Sequence, residues 1–385
     1  MASVSKPESE AVSAPSVSGQ PSSRLTALDA MRGATIALMI VVNNAGGPKS
    51  YTPLSHASWN GWTITDTVFP SFLWIVGVSI TLSLGKRLAA GVPRSRLLGP
   101  IFRRAAIIFV LGLSVYAFPE FHFATFRILG VLQRIALCYL IASLIYLYTD
   151  IRGQIVWMVS LLAVYWLAMT LIPVPGYGVG HLDLAGNFAH YVDKLVLGRH
   201  NYAGNDWDPE GIVSTLPSIA TALFGIMAGH ILRLKRALSE RVTWLFLTGN
   251  ILIGLGLICD AWLPINKKLW SDSFSIFMAG LDFVLLAGFL WIIDHLGYRR
   301  FVKPFVILGM NAITVYLASE YGATILDVIH LSSNGTRISL HEWFYRLFLN
   351  VASPLNASLL YAVSFMLSMY LIGYLMYRRG WFLRI

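Results

Sequence analysis

The segment 64–87, ITDTVFPSFLWIVGVSITLSLGKR, decides the fold class, because its only charges are Asp66 near one end and Lys86-Arg87 at the other. A bilayer hydrocarbon core is about 30 Å thick and an α-helix rises about 1.5 Å per residue, so this uncharged run is long enough to cross it. Working outward in both directions, the same criterion predicts ten membrane helices. They begin roughly at Leu25, Ile64, Ile101, Leu129, Gln154, Ile212, Val242, Phe274, Val302 and Asn356. The expected fold is an all-α polytopic integral membrane protein. Its first helix differs from the rest: Asp29 and Arg32 precede the apolar run 34–42, and Asn43-Asn44-Ala45-Gly46-Gly47 ends it in breaker residues, which suits a helix that builds a site better than one that faces lipid.

Composition agrees with this reading. Of 385 residues 56% are hydrophobic and only 12% are charged, half the share of an ordinary soluble domain, and the mean hydropathy is +0.64. Disorder and an ordinary soluble enzyme are excluded. The formal net charge of +10 does not gather on one module, so no nucleic-acid partner is expected; the lipid bilayer is the partner that the cations address. With the N-terminus inside, 20 of the 29 Lys and Arg residues fall on inner segments, which places both termini in the cytoplasm. Residues 1–23 are Ser- and Pro-rich without an apolar core and read as a disordered cytoplasmic tail, neither signal peptide nor span. Residues 24–385 read as a single transmembrane domain. Cys138 and Cys259 lie in apolar stretches without partners at metal-ligand spacing, so no disulfide framework and no metal site are expected.

Three outer segments, about 45–63, 173–211 and 321–355, are too long and too polar to be mere connectors. The second carries Asp183, Asp193, Asp206, Asp208 and Glu210 against Lys194 and Arg199, a surface that suits a cationic or amine-bearing partner or is simply a solvated acidic loop. The densest set of chemically able residues is Val42-Asn43-Asn44-Ala45-Gly46-Gly47, then His56-Ala57-Ser58-Trp59-Asn60-Gly61-Trp62, then Asp66-Thr67-Val68-Phe69-Pro70. A histidine ahead of an Asp-led helix can act as a general base or carry an acyl group, and Asn43 can orient the ring or hold an oxyanion. The alternative is a histidine at headgroup level beside an aromatic belt of Trp59 and Trp62.

Arg24-Leu25 and Asp29-Ala30-Met31-Arg32-Gly33, Val42-Asn43, His56-Ala57-Ser58-Trp59-Asn60-Gly61 and Asp66-Thr67-Val68-Phe69-Pro70-Ser71-Phe72 resemble the catalytic region of the heparan-alpha-glucosaminide N-acetyltransferase family. The likeness continues through Gly130-Val131-Leu132-Gln133-Arg134, Asp208-Pro209-Glu210-Gly211, Pro264-Ile265-Asn266-Lys267-Lys268-Leu269-Trp270 and Gly309-Met310-Asn311. The resemblance implies a transmembrane acetyltransferase that takes acetyl from acetyl-CoA on the cytoplasmic face and delivers it to an amino sugar on the far side. It also implies that His56 is the catalytic histidine, with Asn43 beside it. The interval between Asn43 and His56 is slightly longer than in the family and contains Pro48 and Pro53. The extra luminal domain and preceding span of lysosomal members are not seen, so the expectation is a bacterial relative, in the inner membrane, with a different glycan as acceptor.

On this reading the anionic end of coenzyme A needs cations at the cytoplasmic mouth, and Arg103 and Arg104, with Lys86, Arg299, Arg300 and Lys303, supply them unless they only mark topology. Gln133, Arg134, Asn250, Asp282 and Asn311 are polar groups within spans, expected to line a polar passage, with Arg134 alternatively pairing with Asp282 or another acid. At the outer side Asp208 and Glu210 are expected to meet the acceptor's ammonium, and Trp59 and Trp207 its sugar ring, while Trp62, Tyr202 and Trp270 share the choice between sugar stacking and a belt. The competing function is a transporter or permease for a sugar or glycoconjugate, without covalent chemistry. A homodimer is the default assembly.

Overall fold

A computed structural model of the chain describes residues 25–333 and 336–383; the tail expected over 1–23 lies outside the described residues. The chain forms α1 (Thr26–Asn43), α2 (Val68–Ala89), α3 (Arg94–Ala117), α4 (Val131–Tyr148), α5 (Ile151–Leu171), α6 (Phe188–Val196), α7 (Thr215–Leu232), α8 (Leu238–Cys259) and α9 (Asp272–Phe289). After a wider turn of helix over Leu290–His295 come α10 (Lys303–Met310), α11 (Ala312–Val328), a hairpin of β1 (His330–Ser333) and β2 (Thr336–Ser339), α12 (Leu340–Leu349) and α13 (Pro354–Arg378). Among the described residues nine helices are long and apolar enough to cross a membrane, so the fold is an all-α polytopic membrane bundle.

The span expected from Val302 is the exception. The chain breaks at Asn311 (φ −122°, ψ 37°) into α10, of eight residues, and α11, of seventeen, neither of them among the nine. Helix α3 starts at Arg94 rather than near Ile101, since a helix continues beyond the hydrocarbon where arginine stems can run along it with their heads in water. The segment 321–355, expected to be a long outer loop that is more than a connector, holds the end of α11, the hairpin and α12.

Two helix crossings are set by glycine. A Cβ on Gly77 of α2 would stand 1.9 Å from the Ala222 carbonyl oxygen, and one on Gly225 of α7 would stand 1.9 Å from that of Trp74. Likewise a Cβ on Gly33 of α1 would stand 1.7 Å from the Phe305 carbonyl oxygen. In lipid, where apolar burial does not drive helices together, such small residues let backbones approach and packing holds them. Helix α2 is thereby wedged in the bundle, with Leu73, Trp74 and Val78 fully enclosed. Some polar groups inside the bundle are paired locally: the Ser71 hydroxyl donates to Asp282, and Thr81 reaches the Ile226 carbonyl at 3.2 Å. The alternative of an Arg134–Asp282 pair is not formed: Arg134 is turned to the Gly211 carbonyl and the Ser214 hydroxyl, while Asp282 takes Ser71. Asn250 bonds back to the Phe246 carbonyl on the exposed face of α8, away from any passage.

Gly77→Val is expected to push α2 off α7 and cost about 1–3 kcal/mol, read as a lower melting temperature in detergent. Gly254→Val on α8, where a Cβ would meet nothing within 4 Å, is expected to leave it nearly unchanged.

Candidate functional site

The site begins with the turn that starts α2. Thr63-Ile64-Thr65-Asp66 forms a capping box: Asp66 Oδ2 accepts the Thr63 backbone N–H at 3.0 Å, and the Thr63 side chain accepts from the Asp66 backbone. The same oxygen accepts the Ala57 N–H at 3.1 Å, which folds the His56 loop back onto the helix start. The Thr63 hydroxyl donates to the Ser55 carbonyl at 2.7 Å, a second tie to that loop. The other carboxylate oxygen, Oδ1, lies 2.6 Å from His56 Nδ1. A carboxylate only accepts, so Nδ1 carries a hydrogen, and in the neutral ring Nε2 is the nitrogen with the lone pair. Asp66 is 1% exposed while the His56 side chain is 46% exposed: a buried anchor holds an accessible base.

A second outer loop, between α8 and α9, is strapped to the first. Gly61 N–H donates to the Ile265 carbonyl at 2.7 Å, Asn266 Nδ2 to Asn60 Oδ1 at 3.2 Å, and Leu269 N–H to Asn266 Oδ1 at 3.0 Å. The strap carries Lys267 to His56, with Nζ 3.1 Å from Nδ1, 3.3 Å from Nε2 and 3.7 Å from Asp66. Burial lowers the Lys267 amine below its ordinary 10.5, against the pull of Asp66 and Glu210. Lys268 points elsewhere, donating to the Ser58 carbonyl at 2.6 Å and standing over the rings of Trp59 and Trp207. Those two tryptophans are brought together around His190, one edge-on and one stacked, with ring centroids 5.8 and 5.0 Å away. Burial pushes the His190 imidazole down to about 4, and its Nδ1 donates to the Leu184 carbonyl at 2.8 Å. Trp270 is buried rather than outward-facing, packed against Phe69 and Phe274 beneath the Arg134 guanidinium.

Asp208 and Glu210 do not stand open on the acidic loop. Both take Arg127, which donates through Nε to Asp208 Oδ2 at 2.8 Å and through one terminal nitrogen to both acids, between the rings of Tyr116 and Tyr202. Burial alone would raise Glu210, but Arg127, Arg134 and Lys267 outweigh it and hold the carboxyl below the usual range. Arg134, 1% exposed, donates to the Gly211 carbonyl at 2.9 Å and to the Ser214 hydroxyl. The acids expected to take an acceptor's ammonium therefore already have a guanidinium. Behind them Asp193 accepts from Ile212 N–H at 2.8 Å, and burial pushes it up to about 6.

A cavity of about 410 Å³ lies inside the bundle between α1, α2, α3, α4, α10 and α11. Along α2 its lining runs from Phe72 to Leu84, about 18 Å of helix at 1.5 Å per residue. One end, on the side of the Lys86-Arg87 terminus, has Arg104, Arg32, Ser79 and Ser83; the other, on the side of the His56 loop, has Met39, Phe72, Val131 and Leu132. Arg104 has a buried Nε with no hydrogen-bond partner among the described residues, and its guanidinium lies 4.9 Å from the Tyr139 ring centroid. Arg32 bonds Asp29, Ser79 and the Gly309 carbonyl. Arg103 is exposed and lines no part of the cavity. Asn311 holds the C-terminal segment instead, through the Trp381 carbonyl at 3.1 Å and Leu383 N–H at 3.3 Å, while its neighbours Met310 and Ala312 line the wall. Gln133 is fully buried beside Gly112, off the lining, with both side-chain polar atoms unpartnered among the described residues. Asn43 is exposed at the end of α1, one turn beyond Met39 on the same helix face; no hydrogen bond to His56 is formed among the described residues.

Three members of this arrangement escape sequence reasoning as site residues: Asp66 as the partner of His56, Lys267, and Arg127. The signal for Asp66 was available in the Thr63-x-x-Asp66 capping box, and Lys267 belongs to a rare cation pair on the outer side. For Arg127, far from Asp208 in sequence, there is no local signal.

Residues 24–265 match the family described as "Heparan-alpha-glucosaminide N-acetyltransferase, catalytic". Two curated proteins, both named heparan-alpha-glucosaminide N-acetyltransferase, are similar along 77% of this chain: one from Homo sapiens, 32% identical over 354 residues, and one from Mus musculus, 32% identical over 352. The chain spans about half the length of these relatives, 53% of each.

Two predictions follow from the charges at the outer face. Asp66→Asn is expected to destabilise the helix start by about 0.5–2 kcal/mol and to release His56, read by thermal unfolding. For Asp193 the folded carboxyl at about 6 lies above its ordinary 3.8, so the stability it contributes is present below about pH 4 and lost as pH rises through 6. Asp193→Asn is expected to raise the melting temperature by a few degrees (~2–4 °C) at pH 8 and by much less at pH 4.

Proposed function

This chain belongs to the heparan-alpha-glucosaminide N-acetyltransferase family, and on that premise we propose that it transfers acetyl from cytoplasmic acetyl-CoA, through the bundle, to the amine of a sugar or related glycan at the outer face. The observation that carries the proposal is the position of one helix. Helix α2 holds His56 through Asp66 at its outer start and lines the cavity down to Leu84 near its basic end. Coenzyme A is a long, narrow arm with an anionic nucleotide at one end. A passage of about 18 Å with cations at one end and apolar walls toward the other matches that chemistry. The fit has a local mark in Arg104, whose buried Nε lacks a protein partner among the described residues.

In this reading His56 takes the proton of the acceptor amine at Nε2, since its Nδ1 hydrogen is committed to Asp66. Asp66 fixes the tautomer and stabilises the imidazolium that forms, as the acid does in a hydrolase triad. Asn43, on the helix face that lower down lines the cavity, offers an amide donor toward the developing oxyanion. Trp59 and Trp207 give the acceptor ring an apolar edge near Lys268. Asp208 and Glu210 support the site from behind by holding Arg127, rather than touching the acceptor. The orientation proposed is the one that the Lys/Arg distribution favours, with the basic helix ends facing the cytoplasm of a bacterial inner membrane.

Purified protein given labelled acetyl-CoA and an amino sugar is expected to release free coenzyme A and label the amine. His56→Ala should lower this at least about 10²-fold with coenzyme A binding kept, and Asn43→Ala on the order of 10²- to 10³-fold. Arg104→Ala should weaken coenzyme A binding about tenfold or more, because a charge-assisted contact contributes about 1.5–3 kcal/mol, while Arg103→Ala should change it little. Wild-type rates in His56→Ala would move the base to another residue, and absence of transfer by the wild-type protein would favour a transporter.

A further inference from the structure

We infer that Lys267 is a further catalytic residue, its ammonium donating to the oxygen of the thioester carbonyl as that oxygen gains charge; the inference rests on the acetyl-transfer reading above. The first support is distance. Nζ is 3.3 Å from His56 Nε2, the nitrogen that does not carry the hydrogen given to Asp66, so a carbonyl group placed in reach of that atom is also in reach of the ammonium. The second is that Lys267 is not closed into a tight ion pair. Asp66 is the nearest carboxylate to it among the described residues, at 3.7 Å, and Asp66 already receives Ala57 N–H, Thr63 N–H and His56 Nδ1 at 3.1, 3.0 and 2.6 Å. An ammonium has three hydrogens, and with Nδ1 already carrying its own hydrogen only Nε2 and Asp66 can take one from Lys267, which leaves it a donor for an arriving substrate. The adjacent cation makes the contrast: Lys268 spends its charge on the Ser58 carbonyl at 2.6 Å and two indole faces.

The third support is fixation. The Gly61–Ile265 and Asn60–Asn266 hydrogen bonds hold the backbone before Lys267 against the loop that carries His56, so base and cation move as one body. The charged groups against the imidazole are then Asp66 from the start of α2 and Lys267 from the second loop, with Lys268 turned away toward Trp59 and Trp207. Glu210, from the connection between α6 and α7, faces Lys267 from further off and is neutralised by Arg127. A fixed cation at the point where an oxyanion forms is the kind of preorganised charge that lowers an acyl-transfer barrier most.

The step balances without a further reactant. The acceptor nitrogen forms a bond to the thioester carbon, the C=O π pair moves onto oxygen against Lys267, and His56 takes the N–H proton. Collapse restores C=O, breaks C–S, and the departing thiolate takes the proton from His56 to leave as a thiol, with the amide formed.

The test compares Lys267→Met and Lys267→Arg with wild type and His56→Ala, measuring kcat and KM for acetyl-CoA with an amino-sugar acceptor. Lys267→Met is expected to lose about 10²- to 10³-fold in kcat with KM for either substrate within threefold, and Lys267→Arg to keep more activity than the methionine variant. Lys267→Cys treated with 2-bromoethylamine, which rebuilds a side chain of lysine length ending in an ammonium, should recover kcat. That recovery also separates a chemical role from a folding defect. A kcat for Lys267→Met within threefold of wild type, or a Cys variant that folds like wild type but stays inactive after alkylation, would overturn the inference while leaving a His56-dependent transferase standing. Absence of transfer by the wild-type protein would instead remove the reading beneath it.

Discussion

One buried carboxylate organises the outer face. Asp66 must satisfy two oxygens where water is excluded, and it does so with the backbone of its own helix start, the backbone of the His56 loop and the imidazole itself. A buried charge left short of donors is expensive, so these three partners are held together rather than free to vary separately. Because Asp66 sits at the head of α2, the imidazole inherits the position of a helix that is wedged against α7 through Gly77 and Gly225. The chain of constraint runs from glycine contacts in the membrane, through a capping box, to the tautomer of a histidine at the surface.

The charges around this anchor are sorted by sign. On the outer face Asp208 and Glu210 of the long loop are gathered on Arg127, while Lys267 faces the imidazole and Lys268 the two tryptophans. Inside the bundle, Arg32 and Arg104 stand at the opposite end of the cavity from Phe72 and Leu132. In the proposed reaction this polarity sets the direction of the donor, with its anionic end held low and its acyl end carried upward. The C-terminal segment, bound by Asn311, sends Leu383 into the same wall, so the break between α10 and α11 also helps to shape the cavity.

Much of this was legible in the residues, and the rest was not for identifiable reasons. Long uncharged runs such as that ending at Lys86-Arg87 predict the spans because the bilayer imposes a length on them. The break at Asn311 is hidden, since neither Gly309 nor Asn311 requires one and the break is stabilised by a tail some seventy residues away in the chain. At the site, His56 stands out by its surroundings and by resemblance, while Asp66 reads first as a helix cap. Its second bond, to His56, depends on a loop path that spacing does not set. Asp208 and Glu210 look like free acids until Arg127 is placed beside them, and a single arginine in another loop carries no sign of its partner. Arg104 and Arg103 are adjacent cations whose difference, cavity against exposed surface, is a matter of helix rotation.

The central claim is that donor and acceptor meet across the membrane at His56. It is tested most directly in sealed vesicles that hold the protein in one orientation, with labelled acetyl-CoA enclosed on the side of the Lys86-Arg87 helix end and an impermeant amino sugar outside. The account predicts labelled acetyl on the outside sugar while coenzyme A accumulates within, and no labelling when the two substrates are placed together outside. Transfer only when both substrates share one side would contradict it.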